Sequence, residues 1–291
     1  MKRLLIIFSL FTSNLLCESE LVDLIVFSYN RPMQLYALLE SVEKYLTGLG
    51  EISVIYRASD SAYETGYAEV KTKFKQVRYF KQGDTPNKDF KPLILKAWDT
   101  KQEYLMFSTD DIIVKSPADL TVCTSVLKLT GAYGFYLRLG KNISKCYFTG
   151  DKISDLPKHK LVEPGIYSYK FSDSTGEDWR YPNTVDMTIY PKNKIKKFFA
   201  KHAYANPNSC EGSWAAQANL SLQGLFFEKS KIVNIPINLV NEVAPNAHMN
   251  SHSAAEMLKF FNQGLKIDIG DLYELNNQAP HVNYQVKFMA R

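Results

Sequence analysis

The chain predicts an α/β fold, a mixed and mostly parallel sheet with helices on both faces, on three observations. Apolar runs of strand length recur and end in polar clusters. Stretches with apolar residues at helical spacing separate them. Apolar residues make up 45% of the 291 residues against 22% charged, enough to bury a core between layers. Strands that alternate with helices pair in parallel, and ligands then gather at the carboxyl ends of the strands.

Asp23-Leu24-Ile25-Val26-Phe27 reads as a buried first strand, followed by Ser28-Tyr29-Asn30-Arg31-Pro32. Asn30 is placed to cap a helix and Pro32 suits its first turn. Leu35, Leu38, Leu39, Val42 and Leu46 then repeat at helical spacing up to Gly48. Ile52 to Tyr56 is a second strand, ending at Asp60, and Val77 to Phe80 a short third. A helix around Leu93, Ile94, Ala97 and Trp98 leads to a fourth strand, Tyr104 to Phe107, which runs into Ser108-Thr109-Asp110-Asp111. In the second half, 132–139, 166–171, 185–190, 232–240 and 282–288 read as strands, and 195–202 and 214–222 as helices. Ser253 and Glu256 have the spacing of a capping box for a helix through Phe261, closed by Gly264. Without an internal repeat or linker, residues 20–291 read as one domain, with a nucleotide half at about 20–115 and an acceptor half at about 116–291.

Residues 1–19 read as a targeting segment, because Lys2 and Arg3 precede an apolar run from Leu4 to Phe11 that is too short to span a bilayer. Export or peripheral membrane contact is the expectation, with a cytoplasmic location as the alternative. The net charge of +5 lacks the dense basic stripes of nucleic-acid binders, so no nucleic-acid partner is expected. Cys123, Cys146 and Cys210 would remain after leader removal and read as buried thiols. Signatures of dinucleotide-binding Rossmann enzymes, P-loop NTPases, α/β-hydrolases and zincins are missing from the sequence.

Asp110-Asp111 is the strongest chemical signal. Adjacent carboxylates at a strand end each raise the cost of ionising the other, and a divalent cation offsets that cost. A plain turn is the competing reading. Leu24 to Pro32 with its helix resembles the opening of glycosyltransferase family 2 and its GT-A fold relatives, and Glu103 to Val114 resembles their metal-binding DxD segment. Thr109 stands where the family more often has a third acidic residue. Asn206-Pro207-Asn208-Ser209-Cys210-Glu211 and the closing stretches around Gly264 and Ala279-Pro280-His281 are similar to segments of bacterial members.

The resemblance implies a GT-A-like fold and an inverting, metal-assisted glycosyltransferase. It would move a sugar from a nucleotide-diphosphate donor to a hydroxyl of a glycan, lipid or protein. By the same resemblance Ser28, Tyr29, Asn30 and Arg31 would line the nucleotide pocket, Asp60 would contact base or ribose, Asp110 would face the ribose or the metal and its water, and Asp111 would ligate Mn²⁺ or Mg²⁺, with His281 completing the metal shell. Glu211 would be the base. Asp186, unusual inside an expected strand, is a second candidate. Glu211 also reads as a residue favouring a helix dipole, and His281 as a solvated loop side chain. Asp178-Trp179 reads as an acceptor-stacking site or a turn, His248 and His252 as a weak metal pair, and Lys192, Lys194, Lys196 and Lys197 as a solvated helix face. A non-catalytic nucleotide- or glycan-binding protein is the alternative on the same fold.

Overall fold

The computed structural model describes residues 20–240, 249 and 251–291. The expected leader, His248 and the neighbouring Asn246 and Asn250 lie outside them. A nine-stranded sheet runs in the order His159–Glu163, Ile166–Lys170, Gln223–Phe227, Gly134–Gly140, Thr188–Pro191, Tyr104–Thr109, Val22–Tyr29, Leu49–Arg57, Arg78–Lys81. The half expected to bind nucleotide is parallel throughout: Val22–Tyr29 lies between Leu49–Arg57 and Tyr104–Thr109, with Phe27 opposite both Ile55 and Thr109. Thr188–Pro191 enters antiparallel between Tyr104–Thr109 and Gly134–Gly140 and makes the sheet mixed.

Helices α1 (Pro32–Tyr45), α2 (Ser61–Lys73), α3 (Pro86–Trp98), α4 (Leu120–Thr130), α5 (Lys192–Lys201), α6 (Pro207–Ala215) and α7 (Ala254–Asn262) cover both faces. The first strand shows why its run is apolar at every position. Val22, Leu24 and Val26 pack with residues of α1, α2, α4 and α7 in one core, while Ile25 and Phe27 pack with residues of α3, α5 and α6 in another. A strand covered on both faces has no solvent side on which to place polar residues. Asp23 is the exception, buried at 1% exposure and paired with Lys192 Nζ at 2.9 Å. Lys192 is therefore a structural cation, which corrects the reading of that lysine run as wholly solvated. Cys123, Cys146 and Cys210 are buried free thiols, as expected.

Several boundaries differ from the sequence expectation. The N-cap of α1 is Arg31, without a side-chain cap bond, and Asn30 instead takes φ 54°. The strand expected over 185–190 forms only at Thr188–Pro191, because Met187 adopts φ 39° and breaks the alternation after Asp186. The helix expected over 214–222 lies earlier, at Pro207–Ala215, where Asn206 and Ser209 form a reciprocal capping box. The strand expected over 232–240 shortens to Ile232–Asn234, and the one expected over 282–288 forms instead at Phe288–Ala290. The capping box of Ser253 and Glu256 is present, and Gly264 follows α7 with φ 83°.

Candidate active site

A cavity of about 740 Å³ opens at the carboxyl ends of the parallel strands, a size suited to a small-molecule ligand. One wall comes from the ends of the first and fourth expected strands. Ser28 Oγ donates to Asp110 Oδ2 at 2.8 Å. Arg31 Nη1 donates to Asp110 Oδ1 at 3.0 Å and to Asp111 Oδ2 at 3.1 Å. The same guanidinium reaches Asn238, with Nε on the side-chain oxygen at 2.9 Å and Nη2 on the carbonyl. Tyr29 lies beneath the Arg57 guanidinium, 4.9 Å from ring centre, and both line the cavity. This gives one planar ring and two guanidinium groups on the side where a nucleotide's base and phosphates are expected.

Burial pushes the Asp110 carboxyl up to about 6; the Arg31 charge opposes that rise and the Asp111 charge adds to it. The like-charge problem of the pair is thus met by Arg31, a cation the sequence reading had placed only as pocket lining. Asp110 is 3% exposed and its two oxygens accept from Ser28 and Arg31, so the more open Asp111 is the better placed of the pair to meet a metal. Asp111 is freer: its Oδ1 meets only Asn234 Nδ2, at 3.3 Å. Asn234 lies beside His281 in an isolated bridge, and Asn234 Oδ1 and His281 Nδ1 are buried without partners. Among the described residues no three His, Cys, Asp or Glu groups converge as a preformed metal shell. Asp111, His281 and the amide oxygen of Asn234 still offer the mixed oxygen and nitrogen donors that Mn²⁺ accepts.

Two expected contacts fall elsewhere. Asp60 is exposed and caps α2, accepting from Ala62 N at 2.8 Å and Tyr63 N at 3.1 Å. Asn30 exchanges two 2.9 Å hydrogen bonds with Ser59. Neither side chain belongs to the cavity lining, so both assignments are corrected. A short Asp at a strand end followed by a helix has a local backbone partner, and the cap outcompeted the ligand reading.

A second group of the lining gathers Arg138, Asp178, Asp186, Glu211 and His281. Glu211 projects from α6, and its Oε1 accepts from Val185 N at 2.9 Å. Burial pushes Glu211 up to about 7, with the nearby Asp186 charge adding to the rise. Burial also raises Asp186, while His281 and Arg138 pull it down. His281 Nε2 lies 3.6 Å from Asp186 Oδ2, so His281 belongs to the cavity rather than to a solvated loop. Arg138, at 2% exposure, donates to Asp178 Oδ1 at 3.0 Å and to the carbonyls of Asp178 and Tyr181. The sequence reading missed Arg138, although a lone Arg within Gly134-Phe135-Tyr136-Leu137-Arg138-Leu139-Gly140 carried the same signal as Asp186. It also missed Asn234 and Asn238, which no local pattern marks. Trp179 is fully buried and stacks on nothing in the cavity. His252 lies apart from the cavity lining, its ring packed on Phe260 and Phe288.

No protein-family model matches the chain. The chain is 28% identical to the bifunctional glycosyltransferase pgtA of Dictyostelium discoideum over 189 residues, covering 60% of this chain and 24% of that protein. It spans about a quarter of the length of that relative. Among solved structures it is similar to S. aureus TarS 1–349 in complex with UDP, at 14% identity, 73% of this chain, 59% of that chain and TM-score 0.48. It is also similar to TarS 1–349 in complex with UDP-GlcNAc, at 14% identity, 80% and 61% coverage and TM-score 0.44. A 4-diphosphocytidyl-2C-methyl-D-erythritol synthase from Anaerococcus prevotii aligns at 12% identity, 75% and 91% coverage and TM-score 0.40. Among the described residues no helix is long and apolar enough to cross a membrane.

Proposed function

We propose that the chain transfers a sugar from a nucleotide-diphosphate donor to an acceptor hydroxyl, in one displacement with inversion. The observation that carries this reading is the meeting of two groups in one cavity: cations and an aromatic ring at the strand ends, and the partly buried carboxylates Asp186 and Glu211. The likeness to a glycosyltransferase supports it. Tyr29 and Arg57 hold the base, and the Arg31 network fixes the carboxylates below the phosphates. Asp111 and His281, with Asn234, would hold a divalent ion, which when bound supplies charge to the departing diphosphate. Glu211 takes the proton of the attacking hydroxyl, because its raised affinity for protons suits a base working near neutral pH. Asp186 steadies that proton and orients His281.

The test is a thermal-shift panel of UDP-, GDP- and dTDP-sugars with and without Mn²⁺, followed by product analysis. A donor whose stabilising effect depends on Mn²⁺ in the wild type and loses that dependence in Asp111→Asn is the expected result. A donor that binds but is never turned over onto any acceptor or water instead marks a binding protein and defeats the transferase reading.

A further inference from the structure

The acceptor half of the cavity carries a feature that the transfer chemistry does not use. Two aromatic rings lie open in its lining: Phe148 is 53% exposed and Tyr181 36% exposed. Both flank the carboxylates. Phe148 packs on His281 at 4.6 Å between ring centres, and His281 touches Asp186. Tyr181 sits 6.0 Å from the Arg138 guanidinium, and its hydroxyl lies in the field of Glu211 and Asp186. Most large aromatics among the described residues are buried against one another; Phe148 meets Tyr147 and His281 only at its edge contacts, and it and Tyr181 leave ring surface open beside the charges.

The polar groups between them are equally incomplete. Arg138 Nε and Asp178 Oδ2 are buried without a hydrogen-bond partner, and both residues line the cavity. A buried donor and acceptor left unmatched cost free energy until a ligand satisfies them. One ligand class meets both deficits. A pyranose ring has an apolar C–H plate that covers an aromatic ring and a rim of hydroxyls that both donate and accept.

We infer that this half of the cavity is a pyranose site, with Phe148 and Tyr181 as the stacking shelf and the Arg138–Asp178 pair as hydroxyl anchor. As the acceptor site it rests on the transferase reading, and it names a glycan as acceptor. A prenyl chain would lie against Arg138, Asp178, Asp186 and Glu211, and a serine side chain has no plate to cover two rings. The stacking role expected of Trp179 passes to Tyr181, two residues later. The base-binding ring, Tyr29, comes from the other wall.

Saturation-transfer NMR on the full chain without nucleotide tests it, using methyl β-D-glucopyranoside, methyl β-D-galactopyranoside and methyl α-D-mannopyranoside, with a serine peptide and farnesyl phosphate as the other arms. At least one glycoside should bind, with strongest saturation on its ring C–H protons. Phe148→Ala and Tyr181→Ala should each weaken it about five- to tenfold, from the worth of an aromatic contact. Phe148→Trp should restore binding, and Leu161→Ala, on the exposed sheet edge, should leave it unchanged. Binding of no glycoside, glycoside binding indifferent to both alanine variants, or preference for the peptide or the prenyl phosphate overturns the inference. Because no donor is present, loss of this site and loss of the transferase reading are separate results.

Discussion

The two walls of the cavity are built on opposite principles. In the Arg31 wall, the charges of Asp110 and Asp111 are answered from within the protein: Ser28 donates to Asp110, Arg31 to both carboxylates, and Asn238 accepts from Arg31. In the Glu211 wall the account is left open. Arg138 Nε, Asp178 Oδ2 and His281 Nδ1 have no partner, and burial holds Glu211 near neutrality. A closed network resists rearrangement, so it suits a group that must hold a fixed shape while a charged ligand comes and goes. An open one keeps its free energy for the ligand and for the transition state.

Breaking the closed wall should have the largest effect. Arg31→Ala strands two carboxylates and removes both links to Asn238; loss of one partner of a buried pair costs about 3–5 kcal/mol. Chemical denaturation at neutral pH should show that loss. A change under 1 kcal/mol would show that the network is not closed in the sense described.

Next comes Glu211→Gln on the open wall. Transfer should fall about 10²- to 10⁴-fold with donor binding retained, the range for loss of a general base. The same variant should be more stable than the wild type in alkali. The sign follows from the raised proton affinity. Folded Glu211 holds its proton up to about 7, against an ordinary value of 4.5, so its contribution to stability is full below the ordinary value and disappears as pH rises through 7. Gln keeps the neutral form at every pH. Melting temperatures at pH 8.5 should favour Glu211→Gln by about 2–4 °C and converge with the wild type at pH 4. The wild-type rate should in turn lose activity as pH falls through about 7, and a flat profile between pH 5 and 9 would count against Glu211 as base.

The smallest effect sharpens the border of the site. Asp60→Ala removes a helix cap and should cost about 1 kcal/mol of stability while leaving the donor KM unchanged. A severalfold rise in that KM would return Asp60 to the nucleotide site.

How much of this was readable in the chain also divides along the walls. The parallel half was legible because each strand is a continuous apolar run, and its two cores take alternate residues, as Leu24 and Ile25 show. Asp110, Asp111, Tyr29 and Arg31 fell at strand ends, and the sheet brought them together. Asp60 and Asn30 were misjudged because a short polar residue at a strand end satisfies the backbone as well as a ligand. On the other wall Glu211 and Asp186 were legible as residues but not in their setting. Met187 cuts the strand short, and the helix bearing Glu211 begins at Pro207, signalled by the Asn206 cap rather than by apolar spacing. Arg138 meets Asp178 across 40 residues and Asn234 meets Asp111 across 123, distances over which periodicity carries no information.

The Arg31–Asn238 bond joins residues 207 positions apart, and this has a consequence for how the molecule comes into being. While the chain is being synthesised, the guanidinium emerges early and waits for nearly the whole sequence before its fork is filled. Contacts between such distant residues close late, since the loop entropy must be overcome first. The pocket is therefore among the last features to mature, and a fragment ending before Asn238 lacks one side of its floor.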